Sequence, residues 1–311
     1  MKRRLIILAL AAGVVAIVYL AVSGTGADDT APMVCDHPTL KEIQSRRDLS
    51  DVKRLSVNAR SVLVADNNTG AWLYSKEPQQ QQPIASLTKL LTALVYLDID
   101  PNFDTVVYIT SRDCYNSSRS RLREGEAYRA GDLLYVMLLA SDNRAARAVA
   151  TASGLSSDEF ITRMNAKARE LGMMNTVVYE VTGLDERNVS TAADMAILIK
   201  VAAKHPLISA ISATYKYRIR VQNKKVYKNL VNTNRLVMSA WRVLAGKTGY
   251  ILESGYCLAT VLKSETCQET TIIVLGSPTN GTRFSVARKL AEFAFKYAGR
   301  NSHGTRQIAG G

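Results

Sequence analysis

Histidine is scarce in this chain. Its 311 residues include only His37, His205 and His303. His37 falls in a polar N-terminal stretch and His303 in a polar tail. His205 precedes Pro206 and reads as a helix-end residue near a C-terminal dipole. No G-x-S-x-G stretch accompanies them, which excludes a Ser-His-Asp hydrolase. No H-E-x-x-H is present either, which excludes the common zinc peptidases. The four cysteines, Cys35, Cys114, Cys257 and Cys267, are too few for a disulfide-built miniprotein and show no metal-ligand spacing. Negative charge is also short, with 27 Asp+Glu against 40 Lys+Arg, giving +13 and a pI near 9.6. That surplus leaves three kinds of anionic partner: nucleic acid, a membrane surface or an acidic polymer. With 47% hydrophobic and 22% charged residues, wholesale disorder is excluded. The length suits one large domain or two ordinary ones, and no internal repeat is visible.

The first residues narrow the partner. Met1-Lys2-Arg3-Arg4 precedes an uncharged apolar run of 18 residues, Leu5 to Val22. A basic segment before an apolar one is an export signal. The run exceeds an ordinary cleaved core of about 7–15 residues and reaches the ~17–25 of a span. Two readings follow: a signal peptide over 1–27, cleaved after Thr25-Gly26-Ala27, or a retained anchor over 5–22 that ties the protein to the inner membrane. Either leaves the basic residues on the cytoplasmic side and exports the rest. Disulfides are then permitted. Cys257 lies in an alternating strand pattern and reads as a small buried apolar residue. Pairing among Cys35, Cys114 and Cys267 stays open.

Residues 28–55 are polar and read as a tether. Regular structure begins with a hairpin, Ser61–Ala65 and Ala71–Tyr74 around Asp66-Asn-Asn-Thr-Gly70. Ser86 to Leu97 carries leucines at helical spacing. Helices follow over Arg129–Leu139, from Asn143, from the capping box Ser156-Ser-Asp-Glu159 to Gly172, and from Ser190-Thr191 to just before Pro206. Strands return at 215–221 and 226–230, then at 242–248, 254–263 and 270–277. An amphipathic helix over 282–298 closes the chain, and 299–311 is a polar tail. Hairpin, helical block, strands and helix make an α+β fold. One antiparallel sheet is built from both ends of the chain and flanked by helices, with a mostly helical insert.

Three short motifs carry chemistry: Ser86-Leu-Thr-Lys89, Ser141-Asp-Asn143 and Lys247-Thr-Gly249. Residues three apart on a helix share a face, about 5–6 Å apart at Cβ, so Lys89 reaches the Ser86 hydroxyl. A serine is a weak nucleophile until a base takes its proton. Lysine does so only when neutral, which requires burial or a second cation such as Lys247. Ser86 at a helix start also lies near free backbone N–H groups. Gly249 lets a substrate backbone lie along the strand edge, where the Tyr250 N–H pairs with the Ser86 N–H as an oxyanion hole. Ser141 is suited to pass a proton to a leaving amine, and Asn143 to hold an amide. Each motif alone is weak, and their order and spacing, 55 and 106 residues, carry the weight.

These motifs, with Pro83–Leu90, Leu139–Ala146, Leu171–Thr176, Thr182–Leu184, Asn188–Thr191, Asn232–Asn234 and Gly246–Tyr250, resemble the low-molecular-mass penicillin-binding proteins. Within these serine D-Ala-D-Ala peptidases the chain is most similar to the murein DD-endopeptidases. The likeness runs over about Ser56 to Ala298, the expected peptidase domain (56–298). It implies a β-lactamase/transpeptidase-like fold and an acyl-enzyme at Ser86 that β-lactams trap. It implies Lys89 as base, Ser141 and Asn143 in the second motif, and Lys247 and Thr248 on the substrate carboxylate, with Gly249 and Tyr250 beside them. It implies peptidoglycan as substrate, the periplasm or cell envelope as location, and no metal or cofactor. Many DD-carboxypeptidases of the family carry a further C-terminal β-domain and terminal helix that have no counterpart after Ala298 here. That favours cross-bridge cleavage over trimming of pentapeptide stems. A β-lactamase is the closer rival, because Glu180 and Asp185 are candidate acids for activating water, but no Glu-x-x-x-Asn segment is present. A non-catalytic peptidoglycan-binding module is the further one. The Lys/Tyr-rich stretch 215–228 superficially suits nucleic acid. On an exported chain it reads instead as a solvent-facing strand edge that meets wall polymer or phospholipid.

Overall fold

The computed structural model describes residues 55–117 and 120–298. The chain divides into two units, 1–36 and 37–311, and every described residue lies in the second. The N-terminal apolar run, Cys35, nearly all of the expected tether and the polar tail lie outside the described residues. Among the described residues no single helix is long and apolar enough to cross a membrane.

Strands β1 (Ser61–Asp66) and β2 (Trp72–Lys76) form the expected hairpin, with a bulge between Val64 and Ala65. Strands β9 (Arg242–Ile251), β10 (Gly255–Lys263) and β11 (Glu269–Ser277) join them in one antiparallel sheet of order β2-β1-β11-β10-β9. The two ends of the chain therefore meet at the β1–β11 ladder, where Ser61 faces Leu275 and Asp66 faces Thr270.

Both faces of this sheet are covered. Along β1, Leu63 and Ala65 enter the core shared with the helical block, while Val62 and Val64 enter a second core. The same alternation runs through Ile273/Leu275 and Ile272/Val274 on β11. This is why these strands read as near-continuous apolar runs rather than as apolar/polar alternation. The second core is closed by the last helix, α8 (Asn280–Ala298), through Phe284, Leu290 and Phe293.

The helical block holds α1 (Thr88–Leu97), α2 (Ser111–Cys114), α3 (Ala130–Leu139), α4 (Asn143–Ala152), α5 (Ser157–Glu170), α6 (Ala192–Lys204) and α7 (Pro206–Ala213). The capping box of α5 forms as expected, with Ser156 and Glu159 reciprocally bonded. Thr191 caps α6 by accepting from the Asp194 N–H. Pro206 does end α6, but it also starts α7, where its missing N–H sits at a position with no helical acceptor. Short ladders pin the loops: β3 (Gln82–Pro83) on β6 (Val189–Ser190), and β4 (Val106–Tyr108) on β5 (Ala127–Arg129). The hairpin β7 (Lys216–Val221) and β8 (Val226–Val231) stands outside the main sheet. Cys267 is disulfide-bonded, whereas Cys114 and Cys257 are free thiols. Cys257 is fully buried in β10, as expected, although β10 is covered on both faces and does not alternate.

Candidate active site

Ser86 does not start the α-helix, as its spacing to Lys89 suggested. It sits in a 3-10 turn, Ala85–Leu87, just before α1, and Ala85 takes the left-handed conformation (φ 48°). The turn holds because Thr88 Oγ1 donates to the Ala85 carbonyl (2.8 Å) and the Leu87 N–H donates to Ile84 (3.2 Å). The turn runs straight into α1, so residues three apart across the junction still share a face and the hydroxyl and the amine meet. Lys89 Nζ lies 2.7 Å from Ser86 Oγ.

Two glycines let the turn pack this tightly. A Cβ on Gly183 (φ +83°) would stand 1.9 Å from the Ala85 oxygen. One on Gly249 would stand 2.9 Å from the Ile84 oxygen and 3.1 Å from the Ser86 nitrogen. Gly249 was expected to clear room for a substrate backbone. What it clears here is the nucleophile's own turn, which brings the Ser86 N–H against β9 beside Tyr250.

Lys89 is fully buried, and Nζ contacts Ser86 Oγ, Asn143 Oδ1 (2.7 Å) and the Thr182 carbonyl (2.5 Å). A carbonyl and an amide oxygen only accept, so a neutral amine donates both of its protons to them. Its lone pair is then left toward the Ser86 hydroxyl. Burial lowers the Lys89 pKa to about 7; Glu180 and Asp142 act against that fall, and Arg147 adds to it. Lys247 was the expected second cation. It is itself fully buried and held well below the usual lysine range, first by burial and then by Lys89 and Arg283. Burial, not Lys247, dominates at Lys89.

The Thr182 carbonyl is aimed by Glu180. That carboxylate accepts from the Thr182 N–H and hydroxyl (2.8 and 2.6 Å), the Leu184 N–H (2.9 Å) and the Gly183 N–H. Asn188, wholly buried, accepts from the Tyr179 N–H (2.7 Å) and donates to the Glu180 carbonyl (2.8 Å) and to Thr88 Oγ1 (3.3 Å). A carboxylate committed to this many donors keeps little capacity to act on water. Asp185, the other candidate acid, pairs with Arg187 at 2.6 Å.

Ser141 sits in the middle of the break between α3 and α4, in the left-handed region (φ 60°). Asp142 caps α4 through the Arg144 and Ala145 N–H groups (2.9 and 3.2 Å), and it accepts from Ser120 Oγ (2.7 Å). This geometry aims Ser141 and Asn143 into one cleft. Lys247 Nζ donates to Ser141 Oγ (2.6 Å) and to the Thr248 carbonyl (2.8 Å). The cleft, about 340 Å³, lies between β9 and the helical block and is lined by Ser86, Ser141, Asn143, Thr233, Thr248, Gly249, Tyr250 and Arg283. All eight residues singled out in the three motifs and at Tyr250 therefore converge. Tyr250 stands at the rim, its ring stacked on Tyr256 at 4.2 Å.

Several contributors carried no assignment from sequence: Thr182, Asn188, Thr233 and Arg283; Glu180 was read only as a candidate acid for activating water, and it holds the Thr182 loop instead. Thr248 Oγ1 donates to Thr233 Oγ1 (2.7 Å). Arg283, on α8, donates to the carbonyls of Gly249 (2.9 Å) and Cys257 (3.1 Å), and burial lowers its pKa to about 10. Thr182, Asn188 and Thr233 fall in stretches that carry the resemblance, which was the available signal. Nothing local marks Arg283.

A serine served by a buried lysine, with a second serine–lysine pair facing it, defines a serine acyl-transfer site in which lysine replaces histidine. Residues 48–279 match the family described as D-alanyl-D-alanine carboxypeptidase. The D-alanyl-D-alanine endopeptidase of Pseudomonas aeruginosa is 39% identical over 64% of this chain and 65% of that protein. That of Haemophilus influenzae is 35% identical over 81% of this chain and 87% of that protein. The Streptomyces K15 DD-transpeptidase superposes with a TM-score of 0.71 at 28% identity, over 78% of this chain and 98% of that one. Penicillin-binding protein D2 from Listeria monocytogenes, solved with ampicillin bound, gives 0.68 at 27%, over 78% and 99%. The chain belongs to the D-alanyl-D-alanine carboxypeptidase family of serine peptidases and has its β-lactamase-like fold.

Proposed function

We propose that this chain hydrolyses the D-alanyl cross-bridges of peptidoglycan through an acyl-enzyme at Ser86. The observation that carries this reading is the pair of contacts Lys89–Ser86 (2.7 Å) and Lys247–Ser141 (2.6 Å) at one cleft, the second bridging β9 and the helical block. Ser86 Oγ attacks the D-alanyl carbonyl as its proton passes to neutral Lys89. The Ser86 and Tyr250 N–H groups receive the developing oxyanion. Ser141 delivers its proton to the leaving amine and takes one from Lys247 along their hydrogen bond, and the proton held by Lys89 returns to Ser86 when the acyl group leaves. Water then displaces the acyl group and regenerates the hydroxyl. Thr248, by turning its hydroxyl proton from Thr233 to the substrate, and Arg283 suit a carboxylate end of the substrate. A β-lactam enters the same path and stays acylated because Glu180 is committed to its loop. The endopeptidase reading draws support from three endopeptidase relatives at 34–39% identity. The family's printed description and a carboxypeptidase relative at 32% support terminal trimming as the second reading.

The family acts on the cell wall, so the protein works in the envelope. Residues 1–27 would export it to the periplasm or anchor it there, 28–55 would serve as a tether, and 56–298 would be the peptidase domain. Incubation with cross-linked muropeptide dimers and with monomeric pentapeptides, followed by mass analysis, tests the reading. Dimers are expected to split and pentapeptides to persist, and the reverse pattern would establish trimming instead. Ser86→Ala should lose penicillin labelling and both activities. Peptidase activity surviving in that variant would refute the acyl-enzyme.

A further inference from the structure

The positive charge of this chain is not spread evenly. Between Asp194 and Glu253 there is no acidic residue, while 11 Lys and Arg occur. The centre of that stretch is the β7–β8 hairpin. Its register sets Lys216, Arg218 and Arg220 opposite Val231, Asn229 and Tyr227 on one exposed face. The opposite face sends Ile219, Val221 and Leu230 into the main core. Lys224 and Lys228 pair with Glu126. Lys216, Arg218, Arg220 and Lys225 have no carboxylate partner among the described residues. Arg218 lies 4.2 Å over the Tyr227 ring and Lys216 5.2 Å over the Tyr215 ring. These contacts orient the cations without neutralising them.

The hairpin is fastened to the cleft. Arg121, which lines it, donates to the Asn229 carbonyl (2.8 Å), and Lys228 Nζ donates to the Arg121 carbonyl (2.5 Å). Two residues beyond β8, Thr233 forms part of the cleft wall. The cationic face therefore starts where a polymer lying in the cleft would leave it. Peptidoglycan stems carry free carboxylates, so the stems next to the one being cut present repeated negative charge. Four apolar side chains are exposed on or beside the hairpin, Tyr215, Val226, Tyr227 and Val231, but Lys216 and Arg218 lie over the two tyrosine rings, which leaves little apolar surface for insertion into a bilayer.

We propose that the outer face of the β7–β8 hairpin is an exosite for polymeric peptidoglycan, which engages carboxylates of stems adjacent to the scissile one. This rests on the reading of the chain as a peptidoglycan peptidase. The test is a charge-reversed full-length protein, Arg218→Glu with Arg220→Glu, compared with the wild type on intact sacculi and on soluble muropeptide dimers. Co-sedimentation of the Ser86→Ala protein, with and without the two reversals, is measured on sacculi and on anionic phosphatidylglycerol vesicles. Sacculus binding and cleavage should fall about tenfold or more, while dimer cleavage and penicillin acylation stay within about twofold. Wild-type sacculus binding should weaken as salt rises. Equal loss on both substrates would make the hairpin a support of the cleft, and unchanged sacculus binding would end the proposal. So would reversals that abolish vesicle binding and spare sacculi, which would make the face a membrane surface. Failure of the wild type to cut dimers would instead count against the cross-bridge reading, because binding by Ser86→Ala is scored separately.

Discussion

Lys89 shows how one residue's surroundings set a reaction rate. Its amine must be neutral to accept the Ser86 proton, and burial lowers its pKa to about 7. The neutral fraction therefore rises with pH up to that value and saturates above it. The second-order rate of acylation by a fluorescent penicillin should increase about tenfold per pH unit below 7 and level off above it. Lys89→Arg cannot deprotonate, so it should lose about 10²–10⁴-fold at every pH. A flat profile in the wild type would remove Lys89 as the base. The Asp142 carboxylate opposes the fall in the Lys89 pKa. Removing that charge in Asp142→Asn should move the acid limb of the profile to lower pH, while the amide oxygen keeps much of the cap on α4. An acid limb displaced to higher pH would contradict the assigned sign.

At the scale of elements, the site depends on a turn, a helix break and a strand edge that touch. Gly249→Ala sets a methyl 2.9 Å from the Ile84 oxygen and 3.1 Å from the Ser86 nitrogen. The turn must move by a few tenths of an ångström, which should slow acylation on the order of 10²-fold while the fold persists. Gly183→Ala is more severe, because its Cβ would overlap the Ala85 carbonyl and its φ is +83°. We expect little soluble protein from it, with any that is recovered melting well below the wild type. Near-normal melting and acylation of Gly183→Ala would show that the loop has slack. The same contacts explain what sequence could and could not reveal. Ser86/Lys89 and Ser141/Asn143 each lie within one turn of chain, so their partnership is local. Thr182 meets Lys89 across 93 residues, and Arg283 meets Gly249 across 34. Their contributions, a backbone carbonyl and a guanidinium tucked under a strand, leave no periodic trace. The strands and most helices were legible because both sheet faces and the helix seams are apolar. The ladders at Gln82–Pro83 and Val189–Ser190 are too short for any period, and α7 was hidden by reading Pro206 only as a stop.

For the whole molecule, the decisive feature is one sheet shared by two cores. Leu63, Ile273 and Leu275 face the helical block, while Val62, Ile272 and Val274 face α8. A strand cannot lose one face and keep the other, so the two cores should melt together. The two tryptophans make this measurable. Trp241 packs against the α8 core and Phe295, whereas Trp72 stands 45% exposed on the edge strand β2. Fluorescence change on unfolding therefore reports mainly the α8 side, and penicillin labelling reports the cleft side. Leu290 is fully buried on α8, in the apolar core that contains no residue of the cleft motifs. Leu290→Ala should cost about 2–5 kcal/mol and lower the urea midpoint of fluorescence and of penicillin labelling by the same amount. Below the new midpoint, the acylation rate should match the wild type, since the cleft is intact in every folded molecule. Labelling lost at clearly lower urea than fluorescence would mean that the helical block opens on its own. The sheet would then hold two domains rather than one.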